Sequence, residues 1–215
     1  MGQAMARGRF ITLEGGEGAG KTTQLRRLAE RLGADGIEPV VTREPGGTEG
    51  AEAIRELIVH GPPERWRALS ELYLFLAARD DHLHRLILPA LARGAWVLCD
   101  RFADSSRVYQ GHAGELGLAL VDALQAPLLG GRQPDLTLVL DLPVEVGMAR
   151  CAARGAIARF EAKGRAYHER VREGFKRIAA LEPERCAVLD ATAGEDAVAA
   201  AVWQVVASRL APVAP

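Results

Sequence analysis

The run Gly15-Gly16-Glu17-Gly18-Ala19-Gly20-Lys21-Thr22 has the residue types and spacing needed to grip a polyphosphate. Its glycines let successive backbone N–H groups turn inward onto anionic oxygens. Lys21 supplies a cation for the terminal phosphates, and the Thr22 hydroxyl is a hard oxygen ligand for Mg²⁺. The loop works only between a strand and a helix, where first-turn N–H groups and the helix dipole face the anion. Both flanks are legible. Phe10-Ile11-Thr12-Leu13 reads as a short buried strand, and Leu25, Leu28, Ala29 and Leu32 recur at helical spacing up to Gly33.

A second phosphate-site element is expected at the end of another strand, where an acid reaches the metal. Trp96-Val97-Leu98-Cys99-Asp100 supplies it, so Thr22 and Asp100 form the candidate metal pair. Arg101 follows directly, and Arg43 and Arg55 lie beyond the second strand. Planar guanidinium forks suit bidentate phosphate binding and spread charge off a transferring group. Taken alone, Arg55 reads equally well as an exposed helix arginine.

The elements that position these groups follow from alternation of short apolar runs with helical patterns. Strands are predicted at 10–13, 40–42, 96–99, 136–140 and 187–189, separated by helices, which implies a parallel α/β sheet with ligands at the carboxyl ends of its strands. Beyond the 21–33 helix, helices are predicted over 66–93, kinked near Pro89, and over 104–110, 116–129, 144–154, 166–181 and 195–210. Leu69, Leu72, Tyr73 and Leu76 share one stripe of the long helix. His82 and His84 fall on different faces and read as surface or packing residues, not a metal pair.

The chain of 215 residues is 48% hydrophobic and 26% charged with a formal net charge of -1, which suits one soluble domain and excludes a general positive field for nucleic acid or anionic membrane. Only three of its 27 basic residues are lysines: Lys21, Lys163 and Lys176. Cys99, Cys151 and Cys186 are far apart and in no CxxC spacing, so neither a disulfide framework nor a zinc site is indicated and a reducing cytoplasm fits. No signal peptide or membrane span is evident. Three classes share the phosphate loop: a small-metabolite kinase, a regulatory GTPase, and an ATPase or non-catalytic nucleotide-binding module. No Asn-Lys-x-Asp string for guanine and no basic track are present. The gathered arginines favour a built-in phosphate acceptor, while a non-catalytic module stays open on the loop alone.

Together, Glu14 to Thr23, Thr42-Arg43-Glu44-Pro45-Gly46-Gly47-Thr48, Phe75-Leu76-Ala77-Ala78-Arg79, Asp100-Arg101-Phe102, Ser105-Ser106 with Tyr109-Gln110-Gly111, and Arg159-Phe160-Glu161 resemble the thymidylate kinases of bacterial type, in family order and over about residues 9–210. The resemblance implies a P-loop NTPase fold, a three-layer α/β/α sandwich with a five-stranded parallel sheet and a helical lid. It also implies a homodimer and transfer of the ATP γ-phosphoryl group to dTMP with Mg²⁺. The expected layout is a disordered start over 1–8, one kinase domain over 9–210 with its lid at about 150–165, and a tail over 211–215. Another nucleoside monophosphate kinase is the neighbouring reading.

By position, the resemblance gives ATP the residues Gly15, Gly16, Glu17, Gly18, Ala19, Gly20, Lys21, Thr22 and Thr23. It gives the dTMP phosphate Arg55 and Arg101, the base Phe75 by stacking and Arg79 at O4, and the base edge and sugar Ser106, Tyr109 and Gln110. Glu17 is placed near the sugar 3′-hydroxyl, and Lys21, Arg101, Glu17 and Arg159 form the catalytic set. Residues 75 and 79 are four apart on one helix and so share a face. Pro45 matches the family's tight turn. Some relatives carry a basic residue inside the loop and this chain does not, so the missing charge is expected from the lid arginines Arg150, Arg154 and Arg159, beside the flexible Gly155. Ala158 and Gly164 depart from the family pattern there. Adenine is assigned only to the neighbourhood of Asp190-Ala191-Thr192.

Overall fold

A computed structural model describes residues 8–114, 116–153 and 159–210. Five strands, β1 (Phe10–Glu14), β2 (Pro39–Arg43), β3 (Trp96–Asp100), β4 (Leu136–Asp141) and β5 (Cys186–Asp190), form one sheet in the order β2-β3-β1-β4-β5. Every pairing is parallel, with Thr12 opposite Cys99 on one side and Thr137 on the other. Such a sheet needs helices on both faces, and the chain supplies α1 (Lys21–Ala34), α2 (Glu49–Val59), α3 (Ala68–His82), α4 (Leu88–Ala92), α5 (Ala103–Ser106), α6 (Leu118–Leu129), α7 (Val144–Ala153), α8 (Arg165–Leu181) and α9 (Glu195–Leu210).

Side-chain alternation sorts β1 between the faces. Ile11 and Leu13 pack with Leu25, Leu28 and Leu32 of α1 and Val198, Val202 and Val206 of α9, while Phe10 packs with Leu83, Ile87 and Phe102. Burying each such leucine or valine contributes about 1.5–3 kcal/mol. Thr12 and Glu14 face the second side too, where Thr12 Oγ1 lies 2.8 Å from Thr137 Oγ1.

Three local departures from the expected elements have physical causes. Residues 49–59, absent from the predicted elements although Arg55 was also read as an exposed helix arginine, form α2: Thr48 accepts from the Ala51 N–H as its N-cap, and Glu49 and Glu52 favour the positive end of the dipole. The long helix is not simply kinked at Pro89. It widens into a π-helical turn over Leu83–Ile87, just before the proline, which cannot donate an N–H and whose ring would clash with the carbonyl four residues earlier in a regular α-helix. A second π turn, Arg107–His112, follows α5 and carries Tyr109 and Gln110. Of the stripe on α3, Leu72 and Leu76 are buried, whereas Leu69 and Tyr73 face solvent.

Gly8, inside the segment expected to be disordered, is buried, and a Cβ there would meet Ala95 O at 2.4 Å. Residues 1–7, Arg154, Gly155, Ala158 and the 211–215 tail lie outside the described residues. The Glu44–Pro45 bond in the tight turn is cis. Cys99, Cys151 and Cys186 are all buried free thiols, and no helix among the described residues is long and apolar enough to cross a membrane.

Candidate active site

The strands end at Arg43, Glu14, Asp100, Asp141 and Asp190, so the carboxyl edge of the sheet is a row of charges. Above it opens a cleft of about 1020 Å³, lined by the P-loop on one side and by α2, α3 and the second π turn on the other. The crevice stands where an open parallel sheet gathers ligands, beside the central strand from which the connections diverge.

In the P-loop, Gly15, Gly18 and Gly20 adopt positive φ, which only glycine reaches without strain. Gly18 also touches the backbone of α7: a Cβ there would meet Gly147 O at 2.3 Å. Lys21 is buried and folds back on the loop, with Nζ donating to Gly16 O at 2.9 Å and Gly15 O at 3.3 Å. Burial and the neighbouring Arg101 push its ammonium below the usual lysine range. Glu17, Gly18, Ala19, Gly20, Lys21, Thr22 and Thr23 all line the cleft, while Gly15 and Gly16 are not among its lining residues. The Thr22 hydroxyl donates to Asp100 Oδ2 at 2.7 Å, so the two candidate metal ligands meet.

Arg101 joins the halves of the site. It holds positive φ at 72°, a costly conformation for a side-chain-bearing residue, with its N–H donated to Leu13 O. Its guanidinium donates to Gly15 O at 3.0 Å and Glu17 Oε1 at 2.9 Å, and lies over the Tyr109 ring at 4.9 Å. Glu17 also accepts from the Tyr109 hydroxyl at 2.7 Å. Burial works to raise the Glu17 carboxyl, but Arg101, Lys21 and the Tyr109 hydrogen bond outweigh it and hold it down at about 2. The carboxylate in the loop is therefore ionised and tied to both halves.

Across the cleft stand Arg55, Phe75, Ser106, Tyr109 and Gln110. Arg55 donates to Pro45 O at 2.6 Å, and Arg43, which also lines the cleft, pairs with Glu52 at 3.0 Å. Arg79 lies behind Ser106 at 1% exposure and is not a lining residue. It donates to Glu44 Oε2 at 2.7 Å, Phe102 O at 3.0 Å, Ser106 Oγ at 3.1 Å and Gln125 Oε1 at 3.4 Å. Glu44 in turn meets His82 Nδ1 at 3.1 Å, and His82 Nε2 meets Thr42 Oγ1 at 2.7 Å. His82 is thus a packing residue within a buried polar chain, and His84 is exposed.

Arg159, the fourth member of the expected catalytic set, is not among the lining residues of the cleft. It is 2% exposed, paired with Glu71, and donates to Ile58 O at 2.8 Å and Pro63 O at 2.9 Å, so its guanidinium is engaged at the C-terminal end of α2. Arg150, one of the arginines expected from a lid, donates to Gly18 O at 3.3 Å. Of the adenine neighbourhood, Ala191 lines the cleft with Ala193, Gly194, Glu195 and Val198.

Sequence reasoning assigned no site role to Glu14, Glu44 or Glu71, all buried carboxylates. Glu14 accepts from the Phe102 N–H at 2.8 Å and the Ser105 hydroxyl at 2.6 Å, and so supports the backbone beside Arg101. Burial, then the nearby Asp104, raise it to about 7. The available signal was position: Glu14 directly follows a strand read as buried, and Glu71 precedes Phe75 by one helical turn.

Comparison with known proteins agrees with this geometry. The family profile described as thymidylate kinase matches residues 13–202. The thymidylate kinase of Caulobacter vibrioides is 59% identical over 206 residues, covering 96% of this chain and 99% of that one, and that of Nitrobacter winogradskyi is 54% identical over 206 residues, covering 94% and 90%. A crystal structure of thymidylate kinase from Ehrlichia chaffeensis matches with a TM-score of 0.74 at 34% identity, covering 93% of this chain and 99% of that one. With a phosphate loop at the carboxyl edge of a five-stranded parallel sheet, and with such likeness along nearly its whole length, the chain belongs to the thymidylate kinase family.

Proposed function

We infer that the chain transfers the γ-phosphoryl group of ATP to dTMP, giving ADP and dTDP on the way to dTTP. The observation that carries this reading is Arg101, whose one guanidinium touches the P-loop at Gly15, the carboxylate of Glu17 and the face of Tyr109. A cation held between donor loop and acceptor wall sits where negative charge spreads during phosphoryl transfer.

On this reading Lys21 leaves its two loop carbonyls for the β- and γ-phosphates, and Arg55 and Arg101 hold the acceptor phosphate. Glu17, ionised and fixed by Arg101 and Tyr109, accepts from the sugar 3′-hydroxyl. Phe75 stacks on thymine beside Ser106, Tyr109 and Gln110, and Arg79 reads O4 with Nη1, the donor with its longest contact. On this reading no residue forms a covalent intermediate, and positioning and electrostatics carry the transfer. Thr22 and Asp100 would offer Mg²⁺ the hard oxygen donors it prefers. Bound there, the ion would neutralise phosphate charge.

The protein works in the cytoplasm, where its buried thiols stay reduced. It is a homodimer: Leu57 of α2, Leu69 and Tyr73 of α3 and Leu120 of α6 are exposed apolar residues on helices that pack together. The kinase domain spans residues 9–210.

The test is ATP consumption against a panel of monophosphates. Arginine donates only, so it favours the O4 of thymine or uracil over the 4-amino group of cytosine. Expected are dTMP first, dUMP poorer by roughly 10–200-fold for its missing methyl, and dCMP, AMP and GMP near background. Phosphorylation of dCMP or AMP as efficient as that of dTMP would reject thymidylate as the acceptor.

A further inference from the structure

Glu71 has no part in the chemistry above, yet both oxygens of its buried carboxylate lead to the acceptor wall. Oε1 accepts from Gln110 Nε2 at 2.9 Å, and Oε2 pairs with Arg159. Arg159 also satisfies the end of α2: its backbone N–H donates to Val59 O at 3.4 Å and its Nε to Ile58 O at 2.8 Å, two of the carbonyls a helix leaves without partners in its last turn. Its guanidinium lies over the ring of the next residue, Phe160, at 4.6 Å. That ring stands 5.9 Å from Phe75 and 5.9 Å, edge to face, from Tyr109.

Glu71 therefore sits one turn before Phe75 on α3, bonds the residue after Tyr109, and through Arg159 fixes both the C-terminus of the helix carrying Arg55 and the aromatic that completes the ring cluster. We propose that Glu71 is the positioning residue that closes the acceptor pocket, orienting Gln110 with one oxygen and seating Phe160 as a third aromatic wall through Arg159 with the other. Stability alone is a weak reason for this pair, because buried ion pairs are commonly matched or surpassed by apolar replacements of similar volume. What an apolar residue could not do is orient an amide and a guanidinium at once. The inference rests on the acceptor lying on this side of the cleft, as read above, and it moves Arg159 from the phosphates to the acceptor.

Steady-state kinetics on Glu71→Gln, Arg159→Ala, Arg159→Lys, Phe160→Leu and the double variant Glu71→Gln/Arg159→Ala test it, each checked for folding by thermal melting. Glu71→Gln and Arg159→Ala are expected to raise KM for dTMP by roughly 10–100-fold, with KM for ATP within about twofold and kcat lowered less than tenfold. Phe160→Leu should show the same split with little loss of melting temperature. The double variant should be no worse than the poorer single one, because the two act as one strut. Equal rises in both KM values, a fall in kcat alone, a lowered melting temperature with normal KM for dTMP, or multiplicative losses in the double variant would each overturn the proposal. If Glu71→Gln fails to fold, Arg159→Lys and Phe160→Leu decide: normal KM for dTMP in both rejects it. A wild-type preference for another monophosphate would reject the acceptor identity separately, and the same KM split would then be read with that substrate.

Discussion

The Thr22 hydroxyl and the Asp100 carboxylate, 78 residues apart in sequence, meet at 2.7 Å between the first turn of α1 and the end of β3. Both point hard oxygen at one spot beside the P-loop, so Asp100→Asn should raise the Mg²⁺ concentration needed for half-maximal activity on the order of tenfold or more, and chelation should abolish turnover in either protein. Titration of activity with Mg²⁺ measures this. An unchanged titration curve would remove Asp100 from the metal site.

Lys21→Met should lower turnover by a factor on the order of 10³ with the fold intact, because a buried cation near developing phosphate charge is lost. Methionine keeps an unbranched apolar stem and removes a charge that burial disfavours, which offsets the two lost bonds to loop carbonyls, so circular dichroism and the melting curve should barely move. A folded Lys21→Met protein with near-normal turnover refutes the P-loop assignment.

Arg79→Ala should act on stability and on specificity together. It strips Glu44 of its closest partner in a fully enclosed site, and breaking a buried pair typically costs about 3–5 kcal/mol. The thymine-over-cytosine ratio in kcat/KM should fall while ATP affinity changes less. Urea unfolding and the dTMP/dCMP comparison check both halves; an unchanged ratio rejects base reading by Arg79.

Glu14 makes stability depend on pH in an unusual direction. Its carboxyl is raised from 4.5 to about 7 in the folded protein, so the native state holds this proton more tightly than the unfolded chain does. The contribution is full below pH 4.5 and is lost as pH rises through 7. Relative to Glu14→Gln, which carries no titrating proton, the wild type should lose on the order of 2–4 kcal/mol between pH 5 and pH 8. Urea midpoints across that range give the comparison, and parallel curves would refute it.

The predicted strands and most of the predicted helices reappear because each is set by local periodicity: buried strands read as apolar runs, and α1 carries its own stripe up to Gly33. The segment 49–59 escaped because its apolar stripe is thin, with Ala51 and Ile58 as its buried residues, and its helix is fixed by the Thr48 cap and by packing on α3. The π turns escaped because a widened turn leaves no mark on a 3.6-residue period, although Pro89 announced the first disturbance.

Sequence alone determined the phosphate loop and the five-stranded parallel sheet, because each depends on residue type at fixed local spacing. Only the tertiary structure decided which arginines line the cleft and which are enclosed by other charges. Arg79 and Arg159 look as available in sequence as Arg55 and Arg101, yet the first two are enclosed by Glu44 and Glu71, partners 35 and 88 residues away. A buried guanidinium must find a carboxylate or carbonyls wherever the chain brings them, and that choice is made by packing, not by spacing.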